Sequence, residues 1–508
     1  MSKAPTKPPG NESTPNQALS IDAAFEKAQA LPHAGKAQQA AALYQQILQA
    51  QPDHSDTLTM YGFLMFQCGR LEDALRLFEQ ALKVNPESAR DWLNCGIVLN
   101  SMKRYEDALA SHERALQLDP EFPEAYLNRG VVLQEMNRFE EALASYDYAI
   151  KLRPEYADAH FNRGNVLRTL KRLDEAMESW GRTQTIMPNH AQAHFAEALC
   201  RLLLGDHARG WEKYEWRLRA NANIVPRQLP QPLWLGKEDI AGKTILLHAE
   251  QGFGDTIQFC RYAQHVTTLG ATVVLEVQPP LATLMSTLEG PKKVLPRGEP
   301  LPDFDFHTPL PSLPLACLPT LGTVVPAQTP YLTAQPARMA IWRRECGSDK
   351  HMRVGLAWSG SPAHFNDRNR SMRLAQLSPL LENRQVTFVS VQKEVRDHDQ
   401  ALLADTPQVI HFGERLQDFT DTAALIATLD LVITVDTSVA HLAGALGKPV
   451  WIMLPYIPDW RWLLDRPDSP WYPTAKIYRQ PMAGDWPSLI RRITEDLQRL
   501  CQDEQTIQ

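Results

Sequence analysis

The stretch Leu71-Glu72-Asp73-Ala74-Leu75-Arg76-Leu77-Phe78 sets the reading of the first half of the chain. Its apolar residues fall at helical spacing, and its grammar returns every 34 residues. Prolines stand at 52, 86, 120, 154 and 188, and Gly62, Gly96, Gly130, Gly164 and then Ala198 keep the same beat. Two further small series run Ala40, Ala74, Ala108, Ala142, Ala176 and Ala81, Ala115, Ala149. Four places after the first of these come the large residues Tyr44, Phe78, His112, Tyr146 and Trp180. Each period therefore reads as two antiparallel helices. Small residues lie where the helices approach, a large residue fills the gap between neighbouring units, and proline opens the turn after a helix it cannot continue. Asn94, Asn128 and Asn162 stand two places before successive glycines and form a candidate ladder for a partner in the groove.

The repeat decays at Trp211-Glu212-Lys213-Tyr214-Glu215-Trp216-Arg217, where Gly210 replaces the small alanine. This is the expected atypical last unit, covering the end of the stack. Residues 1–18, rich in Pro, Ser, Asn and Lys, read as a disordered tail, and 19–222 as the helical array. From about 230 the pattern becomes strand–helix alternation, the mark of βαβ units around parallel sheets. Strands are expected at Thr244–His248, Thr272–Val277, Arg353–Trp358, Val386–Val391, Leu431–Val435 and Val450–Leu454. Helices are expected at Asp255–Thr268, Thr420–Ala427 and Ser438–Leu446. The uncharged, proline-rich stretch Pro309–Pro336 splits this half into two Rossmann-like lobes, 223–340 and 341–508, the second closing with a helix over Trp486–Cys501.

Composition narrows the function classes. Across 508 residues, 52 Lys+Arg against 59 Asp+Glu leave a net charge of −7, the wrong sign for a phosphate-backbone binder. No run approaches the ~18 apolar residues of a membrane span, and the N-terminus has no apolar segment of a secretory signal. The seven cysteines are scattered, with no Cys-x-x-Cys pair. The expectation is a cytoplasmic protein without a transmembrane segment, with peripheral membrane contact left open, and with no bound metal or cofactor.

Three strand-end loops carry chemistry. In His248-Ala249-Glu250-Gln251-Gly252-Phe253-Gly254-Asp255, Gly252 and Gly254 allow a tight turn into a helix at the carboxyl edge of a sheet. Asp255 is either a simple helix cap or, with Glu250 and Gln251, part of an unusually polar turn with a functional role. In Asp436-Thr437-Ser438-Val439-Ala440-His441, a buried strand runs into hydroxyls at a helix start suited to phosphate. His441, one turn on, is either structural or faces the same crevice. In Trp358-Ser359-Gly360 and the following basic loop, Arg368 and Arg370 can neutralise a diphosphate with planar forks of donors. A Trp- and Tyr-rich stretch, Pro455-Tyr456-Ile457-Pro458-Asp459-Trp460-Arg461-Trp462 with Trp471-Tyr472, suits stacking on a base or sugar as well as core packing. Asp303-Phe304-Asp305 imitates a metal motif but sits where a strand or turn is expected, and the Gly-x-Ser-x-Gly spacing of a serine nucleophile is absent around Ser359.

The 34-residue units resemble the tetratricopeptide repeat. The second half resembles the family 9, heptosyltransferase-like glycosyltransferases over roughly 240–480, on Gly254-Asp255, on Trp358-Ser359-Gly360 with Asn366-Asp367-Arg368, and on Asp436-Thr437-Ser438 with His441-Leu442-Ala443. The resemblance implies a two-lobed GT-B fold, an inverting mechanism and a nucleotide-diphosphate sugar as donor substrate. It puts the family's proposed base on Asp255 and its phosphate-binding turn on Asp436-Thr437-Ser438. Ser438 stands where the family has Gly, and Arg368 and Arg370 stand where heptosyltransferases use Lys. The expected function is metal-independent sugar transfer, of hexosyl or heptosyl type, to a protein or glycan acceptor, with the repeats holding a protein or peptide. A non-catalytic scaffold and a sugar-nucleotide epimerase are the alternatives.

Overall fold

The computed structural model describes residues 20–32, 36–221, 224–347, 351–364 and 366–507; the tail expected at 1–18 lies outside them. The chain divides into two compact units, Met1–Pro188 and Asn189–Gln508.

The first unit is helical: α1 (Ile21–Ala30), α2 (Ala37–Ala50), α3 (Ser55–Gln67), α4 (Leu71–Val84), α5 (Ala89–Ser101), α6 (Tyr105–Leu118), α7 (Pro123–Glu135), α8 (Phe139–Leu152), α9 (Ala157–Thr169) and α10 (Leu173–Ile186). Sequence dictates how closely paired helices approach. A Cβ on Gly62 would lie 2.9 Å from the Phe78 ring, one on Gly130 2.5 Å from the Tyr146 ring, and one on Gly164 2.5 Å from the Trp180 ring; Gly96 meets His112 in the same way. Each ring belongs to the second helix of the same unit. The large residue therefore fills the gap inside a unit, which corrects the expectation that it packs between neighbours. Ala40, Ala74, Ala108, Ala142 and Ala176 are fully buried. Asn94, Asn128 and Asn162 are half-buried on α5, α7 and α9, and the Asn128 amide donates to the Glu124 carbonyl at 2.8 Å.

The second unit opens with α11 (Ala191–Leu203), α12 (His207–Tyr214) and α13 (Arg217–Ala220), so the boundary expected near 222 falls inside it. Two wholly parallel sheets follow. The first contains β1 (Thr244–His248), β2 (Thr272–Val277), β3 (Lys293–Pro296) and β4 (Phe306–Pro309) in the order β3-β2-β1-β4. The second contains β5 (Met352–Ala357), β6 (Val386–Ser390), β7 (Val409–His411), β8 (Leu431–Val435), β9 (Val450–Leu454) and β10 (Ala475–Arg479) in the order β10-β9-β8-β5-β6-β7. The helix expected at Asp255–Thr268 is broken into α14 (Phe253–Phe259) and α15 (Tyr262–Thr268). The last helix, Trp486–Ile507, buries Trp486, Leu489, Ile490, Ile493 and Leu497 in the core of the second sheet, with Val354, Phe388 and Ile433. Asp305 pairs with the backbone of Thr244, the first residue of β1, so the Asp305 carboxylate is used structurally.

His112 marks a weak point of the array. Both ring nitrogens are buried without a hydrogen-bond partner, and burial, helped by Arg129, pushes its pKa down to about 4. Below its unfolded pKa near 6.5 the unfolded chain binds the extra proton, so array stability falls as pH drops from 6.5 towards 4. At the equivalent place Tyr146 donates to Gln134, and 34 residues earlier Asn100 Oδ1 is buried without a partner. His112→Tyr is expected to stabilise the array by about 2 kcal/mol more at pH 5 than at pH 7.5, read by thermal unfolding at the two pH values.

Candidate active site

Loops leaving β1, β5, β8 and β9 meet at the carboxyl ends of the two sheets, the edge where α/β folds gather ligands. Asp255 is the third residue of α14. Its Oδ2 accepts the Gly252 backbone N–H at 2.9 Å, tying the turn to the helix, and its Oδ1 accepts from Arg461, 206 positions later. Burial raises its pKa, Arg461 opposes the rise, and Asp459 adds to it. A Cβ on Gly254 would lie 2.9 Å from His441 Cδ2 and 3.6 Å from Ser438 Cα. This glycine therefore lets α14 lie against the Ser438–Ala445 helix, bringing Asp255 near the Asp436-Thr437-Ser438 turn.

Asp436, Thr437 and Ser438 are half-buried at that helix start. Thr437 Oγ1 accepts the Val439 N–H at 3.3 Å. Burial, then Asp459, pushes the Asp436 pKa up to about 6. His441 is buried, stacked on Trp462 with centroids 5.4 Å apart, and its Nδ1 lies 2.9 Å from the Tyr472 hydroxyl. Burial and the cations Arg461, Arg261 and Arg370 hold it neutral.

From the β5 loop, Arg370 Nη1 donates to the Asp436 carbonyl at 2.8 Å. A Cβ on Gly360 would lie 2.6 Å from Arg370 Nη2, so Gly360 makes room for the guanidinium. Arg368 is exposed and Arg370 is not, which separates the two candidate cations. The loop is clamped by Arg396, which donates to Asp367 at 2.6 Å and to the Gly360 carbonyl at 2.9 Å. Trp358 corrects an expectation: it is fully buried and its indole N–H donates to Asp399 at 2.8 Å, so it belongs to the core and does not face a ligand. Ser359 is likewise buried, its hydroxyl accepting from Gln392 at 3.0 Å. The aromatic stretch is core as well. Trp460, Trp462, Trp471 and Tyr472 are buried, and Trp460 packs edge-on against Trp211 at 5.1 Å, so these rings offer no open stacking platform.

The sequence reading passed over Arg461 and Arg217. Arg217, with no exposed surface, grips Glu250 with Nε and Nη2 at 2.9 Å each and also meets Glu215 and Ser312. Glu250, within the first strand-end loop, is thus the anchor joining α13 to the turn that carries Asp255. The one available signal was an arginine set inside an aromatic run, as in Trp460-Arg461-Trp462 and Trp216-Arg217.

Comparisons with known proteins agree with this architecture. Residues 33–93, 96–137 and 127–184 match tetratricopeptide repeat models. Residues 372–453 match glycosyltransferase family 9 (heptosyltransferase), a segment that includes the Asp436 turn but neither Asp255 nor Arg370. The chain thus joins segments that match tetratricopeptide repeats to a segment that matches a family 9 glycosyltransferase model. It is 28% identical over 326 residues to Protein FlbA of Caulobacter vibrioides, covering 59% of this chain and 54% of FlbA, so it spans about half the length of that relative. Similar solved structures include PilW, a widely conserved type IV pilus biogenesis factor (21% identity, 40% of this chain, 93% of that chain, TM-score 0.37). Another is pilF of Pseudomonas aeruginosa (18% identity, 39% of this chain, 90% of that chain, TM-score 0.36).

A buried ion pair is costly to break from one side. Arg217→Met is expected to destabilise the second unit by about 3–5 kcal/mol, and Arg217→Met with Glu250→Met by clearly less. Urea unfolding followed by tryptophan fluorescence measures both.

Proposed function

We propose that the second unit is a GT-B glycosyltransferase that moves a sugar from a nucleotide-diphosphate donor to an acceptor hydroxyl with inversion. The observation that carries this reading is the meeting of the Asp255 carboxylate with the Asp436-Thr437-Ser438 helix start and Arg370, residues drawn from three separate strand ends. The family 9 match over 372–453 supports it.

In this reading the acceptor oxygen attacks the anomeric carbon from the face opposite the diphosphate. The new C–O bond forms as the bond to the phosphate oxygen breaks, and the nucleoside diphosphate leaves with that electron pair. Asp255 takes the acceptor proton. The N–H groups of Thr437 and Ser438 and the guanidinium of Arg370 meet the developing charge. Gly252, Gly254, Gly360 and His441 shape the crevice, and Trp358 and Ser359 support it from within. Arg368 is exposed on the same loop as Arg370. In this reading the charge-stabilising role falls to Arg370 and the helix start. Among the described residues no helix is long and apolar enough to cross a membrane. The repeats recruit a protein acceptor or partner, with Asn94, Asn128 and Asn162 in the groove.

Incubation with UDP-, GDP-, ADP- and dTDP-hexoses, and with ADP-heptose, should release nucleoside diphosphate from at least one of them. Asp255→Asn is expected to keep fold and donor binding, since Asn can still accept the Gly252 N–H, and to lower release by about 10²-fold or more. Release that vanishes with EDTA and returns with Mn²⁺ would refute the metal-independent mechanism.

A further inference from the structure

Arg461 reaches Asp255 from the opposite lobe. It lies on the short turn Trp460–Trp462 after β9, whereas Asp255 lies on α14 beside the first sheet. The guanidinium is fixed on several sides. Nε donates to Gln258 Oε1 at 2.5 Å, also on α14, Nη1 donates to Asp459 Oδ1 at 2.8 Å, and Nη2 donates to Asp255 Oδ1. Its Cζ lies 4.3 Å over the Trp460 ring. A planar fork held this way has little freedom to turn, so it fixes the carboxylate it grips.

This inference rests on the transferase reading given above. We propose that Arg461 is a positioning residue for Asp255: it holds one carboxylate oxygen from across the lobe boundary and keeps the group in its basic form, while Asp459 competes for the same guanidinium.

The charges around Asp255 support a contest between these two residues. Arg461 favours its ionised form, and Asp459 and Glu250 disfavour it. Glu250 is already paired with Arg217. Tyr214, on α12, is buried and its hydroxyl pKa is pushed up to about 12, so it is uncharged at neutral pH. Asp436 and Arg370 act at longer range, and His441 is neutral. Removing Arg461 and removing Asp459 should therefore move the Asp255 titration in opposite directions. A purely structural role for Arg461 gives no such pair of opposite shifts.

The test uses the full chain labelled with carboxyl-¹³C aspartate, with the Asp255 signal identified by its loss in Asp255→Asn. Its pH titration is compared with the pH dependence of diphosphate release from whichever hexose or heptose donor turns over. Arg461→Gln should move the Asp255 titration and the acid limb of release upward by about 1–3 pH units. Asp459→Asn should move both downward, and Arg461→Lys should restore part of the Gln shift. An unmoved titration in Arg461→Gln overturns the proposal. So does an unmoved or upward titration in Asp459→Asn, which decides the matter if Arg461→Gln does not fold. If the titrations shift as stated while Asp255→Asn releases diphosphate at the wild-type rate, the transferase reading of Asp255 has failed and the positioning role falls with it. If Asp255→Asn is inactive but the acid limb ignores Arg461 and Asp459, the positioning role alone is overturned.

Discussion

A guanidinium with no exposed surface cannot stay buried unpaired, because the desolvation cost of the charge must be met by hydrogen-bonded partners. Arg217 meets it with Glu250, Glu215 and Ser312, and that choice of partners organises the second unit. Glu250 lies two residues beyond β1, so the end of the helical region is fastened to the turn that carries Asp255. The atypical unit at α11–α13 therefore folds with the α/β region, and a cut near 222 would strip Glu250 of its partner. From this anchor the packing continues inward. Gly254 lets α14 touch the Ser438–Ala445 helix, and Arg261 bonds the Trp471 carbonyl at 2.7 Å and Tyr331 at 2.8 Å. The lobes are thus bound through buried cations as well as through apolar surface.

What could be read in advance follows from the range of each interaction. The helical array was legible because its contacts recur at fixed short spacings, and a glycine facing a ring sixteen residues later leaves a periodic mark. The misplacement of the large residue came from a period that cannot tell the inside of a unit from its edge. The central strands β1, β2, β5, β6, β8 and β9 were legible as apolar runs bounded by turn residues. The strands β3 and β7 are three or four residues long, β4 carries His307 and ends on Pro309, and the five residues of β10 include Lys476 and Arg479. None of these resembles a buried strand in isolation.

The candidate site was legible in its loops and not in its pairings. Three strand-end motifs were visible, yet the partner of Asp255 lies 206 positions away, and nothing local in Trp460-Arg461-Trp462 names it. Aromatic density misled for a related reason. A ring buried in a core and a ring offered to a sugar have the same composition signature, and only burial separates them, as it does for Trp460 and Trp471.

The acidic character of the site bears on whether a diphosphate could bind there. Asp255, Asp436 and Asp459 share the guanidiniums of Arg370 and Arg461, while His441 is neutral and burial with Arg370 holds His364 down to about 4. With every carboxylate ionised the site would repel an anion. The two aspartates nearest the proposed chemistry are held differently, however. Asp255 touches Arg461 directly and also receives the Gly252 N–H. Burial leads the shift of Asp436, whose pKa of about 6 lies close to neutrality. A diphosphate at the Thr437–Ser438 helix start would raise that value further, because a like charge disfavours the ionised form. A bound diphosphate would thus favour the protonated form of Asp436, whereas the direct contact with Arg461 favours the ionised form of Asp255. In the proposed reaction these two carboxylates would divide the work, one yielding its charge to the donor and the other keeping it for the acceptor.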